Sequence, residues 1–567
     1  MKFKTFFFLF FICGFTFSQV NPSPPNPKKN PKPERIKLVN ADLEEVNELV
    51  FEGNMVYSGN VVAEHETSRL ESDSVIYFQD KNFIEARGNV HFTDKQSSLV
   101  CKILTYDAST RTAIAYDNVK LVTPDQTVET DKLIYDANTD VAYFDNWGTI
   151  YRGSNITYTK VGKYYVKQNR IELGESSTLE SPEYILEGSG ITYTTQTGIA
   201  DFNEFTRISN KKDPTVFVTG TRGTYHSQTK ESYLKNDGRV YYQGKILSGE
   251  DLYFNEITGF GRGIKNVKLD DPEEKRYLLG GYGEVYRFKD SAMITEKPYM
   301  VKIFTKDSLF FHSDTIIAVK DKDEKSIIRG FHNGRLFKSN MSGKSDSLVY
   351  HETIGRIDFY KKPVFWATGG RQLTSDTLSA YLNVKTQVID SIYGREHAFV
   401  ISKVDSLSPK FEFNQAKGRM LHAYFKDEEL HLVDLRGNAE SMVYAEEEDS
   451  KTRKKERIGI AKSVCGILQG EFIDRKMDIV SCQINAESKI YPESKIPERQ
   501  RYLTEFDWRN DEQLRKWDDI FPDVFPYDKD KPKKSIDQIL REQKEAEKQQ
   551  ETENSEPTEA NTQIETP

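Results

Sequence analysis

The chain has 567 residues, of which 37% are hydrophobic and 12% aromatic, and it carries a formal net charge of −9. This length accommodates several ordinary domains or one long array of repeats. The negative charge argues against nucleic acid as a partner, because binding phosphates requires a positive surface. The 30 tyrosines and 34 phenylalanines favour strands over helices.

The first 18 residues have the pattern of a secretory signal peptide. Lys2 and Lys4 precede an apolar run over 6–17, and Phe17-Ser18-Gln19 suits cleavage. The run is too short to span a membrane, and no later segment is long and apolar enough to do so. We therefore expect an exported, soluble protein in which residues 19–40, rich in Pro, Lys and Asn, form a flexible linker.

A repeat with a step of 29 residues follows this linker. It has two markers, one built around a Gly-Asn pair and one that ends in tyrosine. The copies of the first are Gly59-Asn60-Val61, Gly88-Asn89-Val90, Asp117-Asn118-Val119 and Asn146-Trp147-Gly148. The copies of the second span 73–77, 102–106 and 131–135. Self-similarity at such a step is typical of stacked structural units.

Alternating side chains indicate that the unit is made of strands. Between Ile84 and Phe92 apolar residues take every second position, as in a strand with one buried face. The Gly-Asn pair lies inside this strand without changing the alternation, which predicts a corner. In the second marker the apolar side changes at Asp73, Lys102 and Asp131, which predicts a β-bulge at each.

Two long strands per unit return the chain to its starting direction, so the units can stack. Each sheet has one apolar face that must be covered. We therefore predict an all-β, elongated and solenoid-like repeat fold in which two antiparallel sheets face each other. Small inward residues, including Ala86, Ala113, Ala115 and Ala142, predict space between these sheets.

The markers predict two blocks of repeats, over 41–300 and 301–500, with a loose boundary where prolines interrupt the pattern. Repeat arrays need an end cap because the last unit exposes unpaired strand edges. We predict such a cap over 501–534, which contains Trp508, Trp517, Phe521 and Phe525. The Gln- and Glu-rich residues 535–567 are predicted to be disordered.

Three cysteines remain after the signal peptide. An odd number cannot pair completely, and the sequence leaves open whether Cys465 and Cys482 are bonded. Cys101 occupies a repeat position that its copies fill with Ser or Thr, so we interpret it as a small core residue.

The sequence contains no established catalytic, phosphate-binding or metal-binding motif, and its nine histidines are scattered. Aspartates recur at 73, 131, 251, 314, 346 and 376 because each repeat has the same bulge, and we assign them a turn role. We therefore predict no enzymatic activity, no metal and no cofactor.

The repeat resembles that of the OstA/LptA family, whose fold is shared with the N-terminal domain of LptD. The resemblance rests on Ser58-Gly59-Asn60-Val61-Val62-Ala63, then Ser72-Asp73-Ser74-Val75-Ile76-Tyr77, then Ala86-Arg87-Gly88-Asn89-Val90. It is clear over 53–150 and continues with drift to about 500. The chain is much longer than a single-domain LptA.

This resemblance implies a periplasmic β-jellyroll, or β-taco, that holds the acyl chains of lipopolysaccharide (lipid A) between its sheets. It further implies edge-strand pairing with LptC-like inner-membrane and LptD-like outer-membrane partners, or end to end with further copies. We expect the protein to carry lipopolysaccharide from the inner to the outer membrane and to support outer-membrane assembly. The residues expected to line the groove are Val61, Ala63, Val75, Tyr77, Ile84, Ala86, Val90, Phe92, Leu104, Tyr106, Ala113, Ala115, Val119, Leu121, Leu133 and Tyr135.

Three alternatives remain open on the sequence. The first is a structural rod or scaffold of the cell envelope with a filled core and no lipid. The second is a carbohydrate-active β-helix enzyme, which would need clustered carboxylates that the spread aspartates do not provide. The third is an assembly scaffold that captures partners by its edge strands.

Overall fold

The structure is a computed structural model that describes residues 34–46, 53–405, 412–448, 455–473 and 476–521, and the single positions Arg541 and Glu545. Within these residues antiparallel strands are joined by turns and short 3-10 helices, so the predicted all-β class is confirmed. No helix in this described part has both the length and the apolar character needed to cross a membrane. The predicted signal peptide, Phe525 and nearly all of the predicted tail lie outside the described residues.

The chain divides into two compact units, one of residues 1–121 and 134–138 and the other of residues 122–133 and 139–567. The predicted block boundary near 300 and the facing of two sheets stay predictions. The strands of the first unit are β1 (Lys37–Asn40), β2 (Leu43–Val46), β3 (Met55–His65), β4 (Ser68–Phe78), β5 (Phe83–Asp94), β6 (Ser97–Asp107) and β7 (Thr112–Val122).

The second unit begins with β8 (Thr127–Asp136), whose last three residues belong to the first unit. Short strands follow in pairs: β9 (Val141–Phe144), β10 (Gly148–Arg152), β11 (Asn155–Thr159), β12 (Gly162–Tyr165), β13 (Arg170–Leu173), β14 (Ser177–Glu180), β15 (Tyr184–Gly188), β16 (Ile191–Thr194), β17 (Ile199–Phe202), β18 (Thr206–Asn210), β19 (Phe217–Gly220), β20 (Arg222–His226), β21 (Glu231–Lys235), β22 (Arg239–Tyr242), β23 (Lys245–Ser248) and β24 (Asp251–Asn255).

The later strands of this unit are β25 (Phe260–Asp271), β26 (Arg276–Tyr286), β27 (Ser291–Thr295), β28 (Tyr299–Ile303), β29 (Ser308–His312), β30 (Thr315–Lys320), β31 (Ser326–Lys338), β32 (Met341–His351), β33 (Arg356–Tyr360), β34 (Val364–Ala367), β35 (Arg371–Thr374), β36 (Thr377–Leu382), β37 (Ile389–Lys403), β38 (Phe413–Lys426), β39 (Glu429–Glu448), β40 (Lys455–Ile473), β41 (Lys476–Gln483) and β42 (Glu487–Tyr491). The 3-10 helices of the chain are Gln79–Lys81, Val166–Gln168, Arg287–Lys289, Glu352–Ile354, Glu493–Lys495, Glu498–Arg501, Asn510–Glu512 and Trp517–Ile520.

Three of the four predicted corners, at Gly59-Asn60, Gly88-Asn89 and Asp117-Asn118, are pairs of residues in the left-handed backbone region, whereas at the fourth only Trp147 is. In β5, Gly88 and Asn89 have φ values of +77° and +44°, and the pairing with β6 shifts register at this point. The Asn89 amide donates a 2.9 Å hydrogen bond to the carboxylate of Asp73, the residue of the predicted bulge in β4. The recurring aspartate therefore accepts the hydrogen bond that holds the corner.

The same arrangement recurs in the second unit. Asn333 in β31 donates 2.9 Å hydrogen bonds to both carboxylate oxygens of Asp314. Asp376 meets the imidazole of His397 at 3.0 Å, with the Asp376 N–H donating to the Glu396 carbonyl. These contacts confirm the turn role for Asp314 and Asp376.

Several corners lack the Gly-Asn marker altogether. Left-handed pairs also occur at Glu296–Lys297, Lys361–Lys362, Glu396–His397 and Ile484–Asn485. Glutamate, lysine and isoleucine tolerate positive φ poorly, whereas asparagine and histidine are enriched there. At these corners the pairing of the flanking strands imposes the turn. The strands therefore continue after residue 270, where the Gly-Asn markers become weaker.

The two late cysteines are bonded. Cys465 in β40 and Cys482 in β41 form a disulfide with Cα atoms 5.8 Å apart. Cys101 is a buried free thiol in β6, as interpreted from the repeat, and burial raises its pKa to about 12.

After β42 the chain returns across the second unit. Residues 496–521, here called the return segment, pack across strands from β40 back to β28. Phe506 lies 5.3 Å from Phe413, and Phe521 lies 5.2 Å from Tyr299, between ring centroids. The described part of the predicted cap thus covers a face of the second unit. That it caps the last repeat stays a prediction.

Two buried glutamine side chains fix the return segment by its backbone. Gln415 donates to the Arg501 carbonyl and accepts from the Leu503 N–H, each at 2.9 Å. Farther along the segment, Gln372 donates to the Asp507 carbonyl at 2.6 Å and accepts from the Arg509 N–H at 2.8 Å. Buried amides that satisfy backbone groups in this way stabilise one register of the segment.

Replacing Gly88 tests the corner. Gly88→Ala places a methyl group at positive φ and into the Asp73 carboxylate, whereas Gly53, with φ of +78°, has no described atom within 4 Å of such a methyl. Positive φ costs an alanine about 1–2 kcal/mol at either site. We expect Gly88→Ala to lower the free energy of unfolding by at least about 1 kcal/mol more than Gly53→Ala, measured by urea denaturation. Equal losses would contradict the contact.

The buried ammonium of Lys344 beneath the return segment predicts a pH dependence. Burial, reinforced by Arg335, lowers the pKa of Lys344 to about 8 from 10.5, while Glu512 lies 3.9 Å away. Below pH 8 the folded and unfolded chains both carry this proton, so the full cost of burial remains. Between pH 8 and 10.5 the unfolded chain binds more protons, and the free energy of unfolding rises by at most about 3 kcal/mol.

The variant Lys344→Met should abolish this rise in urea denaturation measured from pH 7 to 10.5. Lys385→Met, on an exposed turn, serves as the control and should preserve it. A rise of the same size in Lys344→Met would assign the effect to another group.

Candidate functional site

The sixteen residues predicted to line a groove are nearly all shielded from solvent. Fifteen are buried, and Tyr77 is half-buried. All lie in the first unit except Leu133, which belongs to the second. The inward parity read from the sequence therefore describes the real interior of the first unit, while lipid contact by these residues stays a prediction.

The interior of the first unit is shielded from solvent and contains several aromatic rings. Ala86, Ala113 and Ala115 are completely excluded from solvent, although small residues here predicted space. Phe92 fills the centre, with its ring centroid 5.4 Å from that of Tyr106 and 6.5 Å from that of Tyr135. An acyl chain can enter this interior only if these side chains move apart.

The hairpin turns form two sets that alternate along the chain, here called the first and the second rim. In the first unit the first rim contains the turns at 66–67 and 95–96, and the second rim those at 79–82 and 108–111. Charged side chains join them. Arg111 of the second rim lies 2.5 Å from Glu66 and 3.8 Å from the buried Asp94 carboxylate.

Hydroxyl groups extend this junction into the interior. Asp94 accepts hydrogen bonds from Thr67 at 2.5 Å and from Tyr135 at 3.5 Å. Tyr106 bonds His65 at 2.8 Å, and burial raises the pKa of the tyrosine. Tyr106 and Tyr135 thus combine an apolar ring inside the unit with a hydroxyl at the rim, whereas Phe92 contributes its ring alone.

The first described residues, 34–36, lie across one end of this interior. The Ile36 N–H donates to the Asn82 side chain at 3.0 Å, and the Asn82 amide donates to the Glu34 carbonyl at 2.9 Å. His65, from the opposite rim, lies 3.1 Å from the same carbonyl. Residues 34–36 therefore contact both rims, with the Ile36 side chain buried.

The second unit contains an apolar cavity at its last strands. It measures about 30 Å³, which is more than the space needed to hold one water molecule. Its lining residues include Val400, Ala416, Val433, Val443, Leu468, Phe472, Met477 and Val480. The guanidinium of Arg371 lies 5.1 Å from the Phe472 ring and 3.6 Å from Glu429, so this cavity also has a charged border.

The rims of the second unit are joined along their length by charged and polar pairs. Glu183 and Lys230 are 2.7 Å apart, and Lys302 and Glu352 are 3.0 Å apart. Further pairs across the rims are Asp213–Arg287, Asn210–Glu256, Lys245–Asp290 and Arg276–Glu352. Each pair brings together turns that are distant in sequence.

Sequence reasoning missed the rims and the late cavity. Most rim partners are 45 to 76 residues apart, beyond any local pattern. One signal was available: Tyr164 follows Tyr135 by the same 29-residue step, is buried, and donates a 2.7 Å hydrogen bond to Asp125. Its hydroxyl, like that of Tyr135, meets a carboxylate of a rim turn.

Both ends of the strand series present edge strands with exposed apolar residues. β1 and β2 pair with β3, and β41 and β42 pair with β40; within the described strands none pairs on their outer sides. The large exposed side chains there include Val39, Leu43, Val46, Ile479, Ile484 and Ile490. Unpaired edges of this kind are templates for strand addition.

A matched pair of substitutions tests the contrast between the two interiors. Ala115→Leu overfills the packed interior and should lower the free energy of unfolding by about 1–3 kcal/mol. Ala416→Leu points into the late cavity and should cost less than about 1 kcal/mol, because its added atoms occupy free space. Urea denaturation followed by circular dichroism measures both. Equal destabilisation would mean that the late cavity is as full as the first interior.

Comparison with known proteins places the first part of the chain. Residues 33–189 match the family model described as OstA-like protein. No curated protein matches the sequence. Among solved structures, LptH, the LptA-homologous periplasmic component of the lipopolysaccharide transport device of Pseudomonas aeruginosa, is 22% identical, with 19% of this chain and 80% of LptH covered. Its TM-score is 0.18, which carries no argument about function. The family model matches the stretch in which the repeat resembles this family, so residues 33–189 are similar to OstA-like proteins.

Proposed function

We propose that the protein is a periplasmic lipopolysaccharide-transport protein that holds acyl chains in its apolar interior on the way from the inner to the outer membrane. One observation carries the proposal: the buried row that recurs every 29 residues lies between charged rims in an OstA-like segment. Burying a methylene group contributes about 0.8 kcal/mol, so such a row stabilises an acyl chain while its charged head stays in water. No residue motif for nucleotide hydrolysis occurs in the sequence, and we assign the driving force to a partner.

The late cavity supports an opening near the end of the second unit. It is apolar, bordered by Arg371, and lies beside the edge strand β41. In the first unit, by contrast, residues 34–36 close the interior. We propose that acyl chains enter or leave at the late cavity.

The edge strands suit partners that add a strand. β1 and β2 at one end, and β41 and β42 at the other, offer unpaired backbone groups beside exposed apolar side chains. We propose LptC-like and LptD-like partners, or further copies of this chain, for these edges. Main-chain hydrogen bonds supply affinity in this mode, and the exposed side chains supply selectivity.

A closed scaffold of the cell envelope is the second candidate function. The complete burial of Ala86, Ala113 and Ala115 supports it, since solvent does not reach those positions. In that case the charged rims fasten the fold permanently and the edges alone recruit partners. The two functions differ in whether lipid ever contacts the interior.

Photo-crosslinking in living cells separates these candidates. A photoreactive phenylalanine at Phe92, Tyr135 or Phe472 reports on the interior, and the matched outward positions are His91 and Tyr424. We expect lipopolysaccharide adducts at the inward positions and none at the outward ones. Absence of adducts at all three inward positions, in a variant shown to be folded and exported, would leave the closed scaffold.

A further inference from the structure

A second cavity, of about 20 Å³, lies where the apolar interior of the second unit meets its rims. Its apolar wall is formed by Leu269, Leu278, Ala292 and Ala318. Its polar wall is formed by Lys245, Asp271, Arg276, Asp290 and Lys320. Such a wall arrangement suits a molecule with an apolar chain and a charged head.

Arg276 is the central cation of this wall. It is buried, with 7% of its surface exposed, and pairs with Asp271 at 3.0 Å and with Glu352. One of its terminal nitrogens also donates to Ser326 at 2.7 Å. Lys302 lies 3.0 Å from Glu352, so this carboxylate faces two buried cations.

The partners of Arg276 come from different rims. Asp271 precedes the same hairpin turn as Arg276 and stays beside it however the rims move. Glu352 lies in the 3-10 helix Glu352–Ile354 of the opposite rim, as Asp290 lies opposite Lys245. If the rims separate, Glu352 and Asp290 leave the site. The remaining rim then holds three cations, Lys245, Arg276 and Lys302, against two carboxylates, Asp271 and Glu274.

Arg276 also has an unused donor. Its Nε is buried and has no hydrogen-bond acceptor among the described residues. A buried charged donor without an acceptor costs free energy, and a guanidinium accommodates two oxygens of one phosphate in a planar fork. The site is therefore built to accept an anionic oxygen in addition to its carboxylates.

We propose that this rim site binds the phosphate headgroup of an anionic amphiphile, which replaces the Glu352 carboxylate at Arg276 and Lys302. The acyl chain then lies against Leu269 and Leu278. The exchange couples binding to opening, because the ion pair that the phosphate displaces is one that joins the rims. The inference rests on the proposed function, since it assumes an interior that admits an alkyl chain.

Isothermal titration calorimetry on the mature chain tests the site with three probes. Dodecyl phosphate below its micelle concentration carries both chain and charge, dodecyl maltoside carries the same chain without charge, and inorganic phosphate carries the charge alone. We expect dodecyl phosphate to bind more tightly than dodecyl maltoside, and inorganic phosphate not to bind.

Two variants locate the binding. Glu352→Gln removes the competing carboxylate and should tighten dodecyl phosphate by about tenfold, whereas Arg276→Gln should weaken it by about tenfold or more. Each variant also removes the ion pair that joins the rims, so the affinity for dodecyl maltoside reports any easier opening, and the change for dodecyl phosphate is measured relative to it. Glu324→Gln, an exposed carboxylate 3.8 Å from Lys320 on a neighbouring turn, is the control and should change nothing. Because Arg276→Gln removes a buried ion pair, Glu352→Gln decides the outcome if the former fails to fold.

Several results would overturn the inference. Equal affinity of the two dodecyl probes, or an unchanged affinity in Glu352→Gln, would show that this site does not recognise the headgroup. Binding of inorganic phosphate with equal affinity would indicate a free-anion site, and no binding of dodecyl phosphate would exclude the site. Lipopolysaccharide adducts at Phe92 or Phe472 alongside any of these results would preserve the transport function and remove only this site.

Discussion

The structure depends on the ability of a strand to turn sharply through two consecutive left-handed residues. L-amino acids avoid this conformation, so each corner needs glycine, asparagine or an external contact to stabilise it. At Gly88-Asn89 the contact is the Asp73 carboxylate, which accepts the asparagine amide. Because the strand turns at its middle, its two ends reach different rims, and a single strand contributes to both sides of the rim junction. The buried interior and the charged pairs between the rims both follow from this geometry.

The local pattern of the sequence predicts what depends on single strands. The parity of Ile84, Ala86, Val90 and Phe92 identifies buried positions, because alternation in a strand is a local property. It fails at corners such as Lys361–Lys362, where strand pairing rather than residue preference imposes positive φ. The burial of the inward alanines follows from the same parity, because they share the inward face with the aromatic rings.

The contacts between rims lie beyond local sequence reasoning for another reason. Arg276 and Glu352 are separated by 76 positions, and a lysine or glutamate in a turn is ordinarily a solvated side chain. Only the stacking of several repeats brings Arg276 and Glu352 together. Buried ion pairs also add little net stability compared with apolar contacts, since desolvation offsets the attraction. Their placement at the boundary between interior and solvent therefore contributes less to the stability of the fold than the apolar interior does.

The return segment sets the number of strands beneath it. Its buried anchors, Phe506 over Phe413 and Phe521 over Tyr299, are spaced to match strands that lie a fixed number of steps apart. Insertion or loss of one repeat between β28 and β38 would shift one anchor by about 10 Å relative to the other, since each repeat adds two strands. Gene duplication can lengthen an array of repeats freely only where no second part of the chain crosses it. The stretch from β28 to β38 is therefore constrained in length, because the return segment contacts both of its ends.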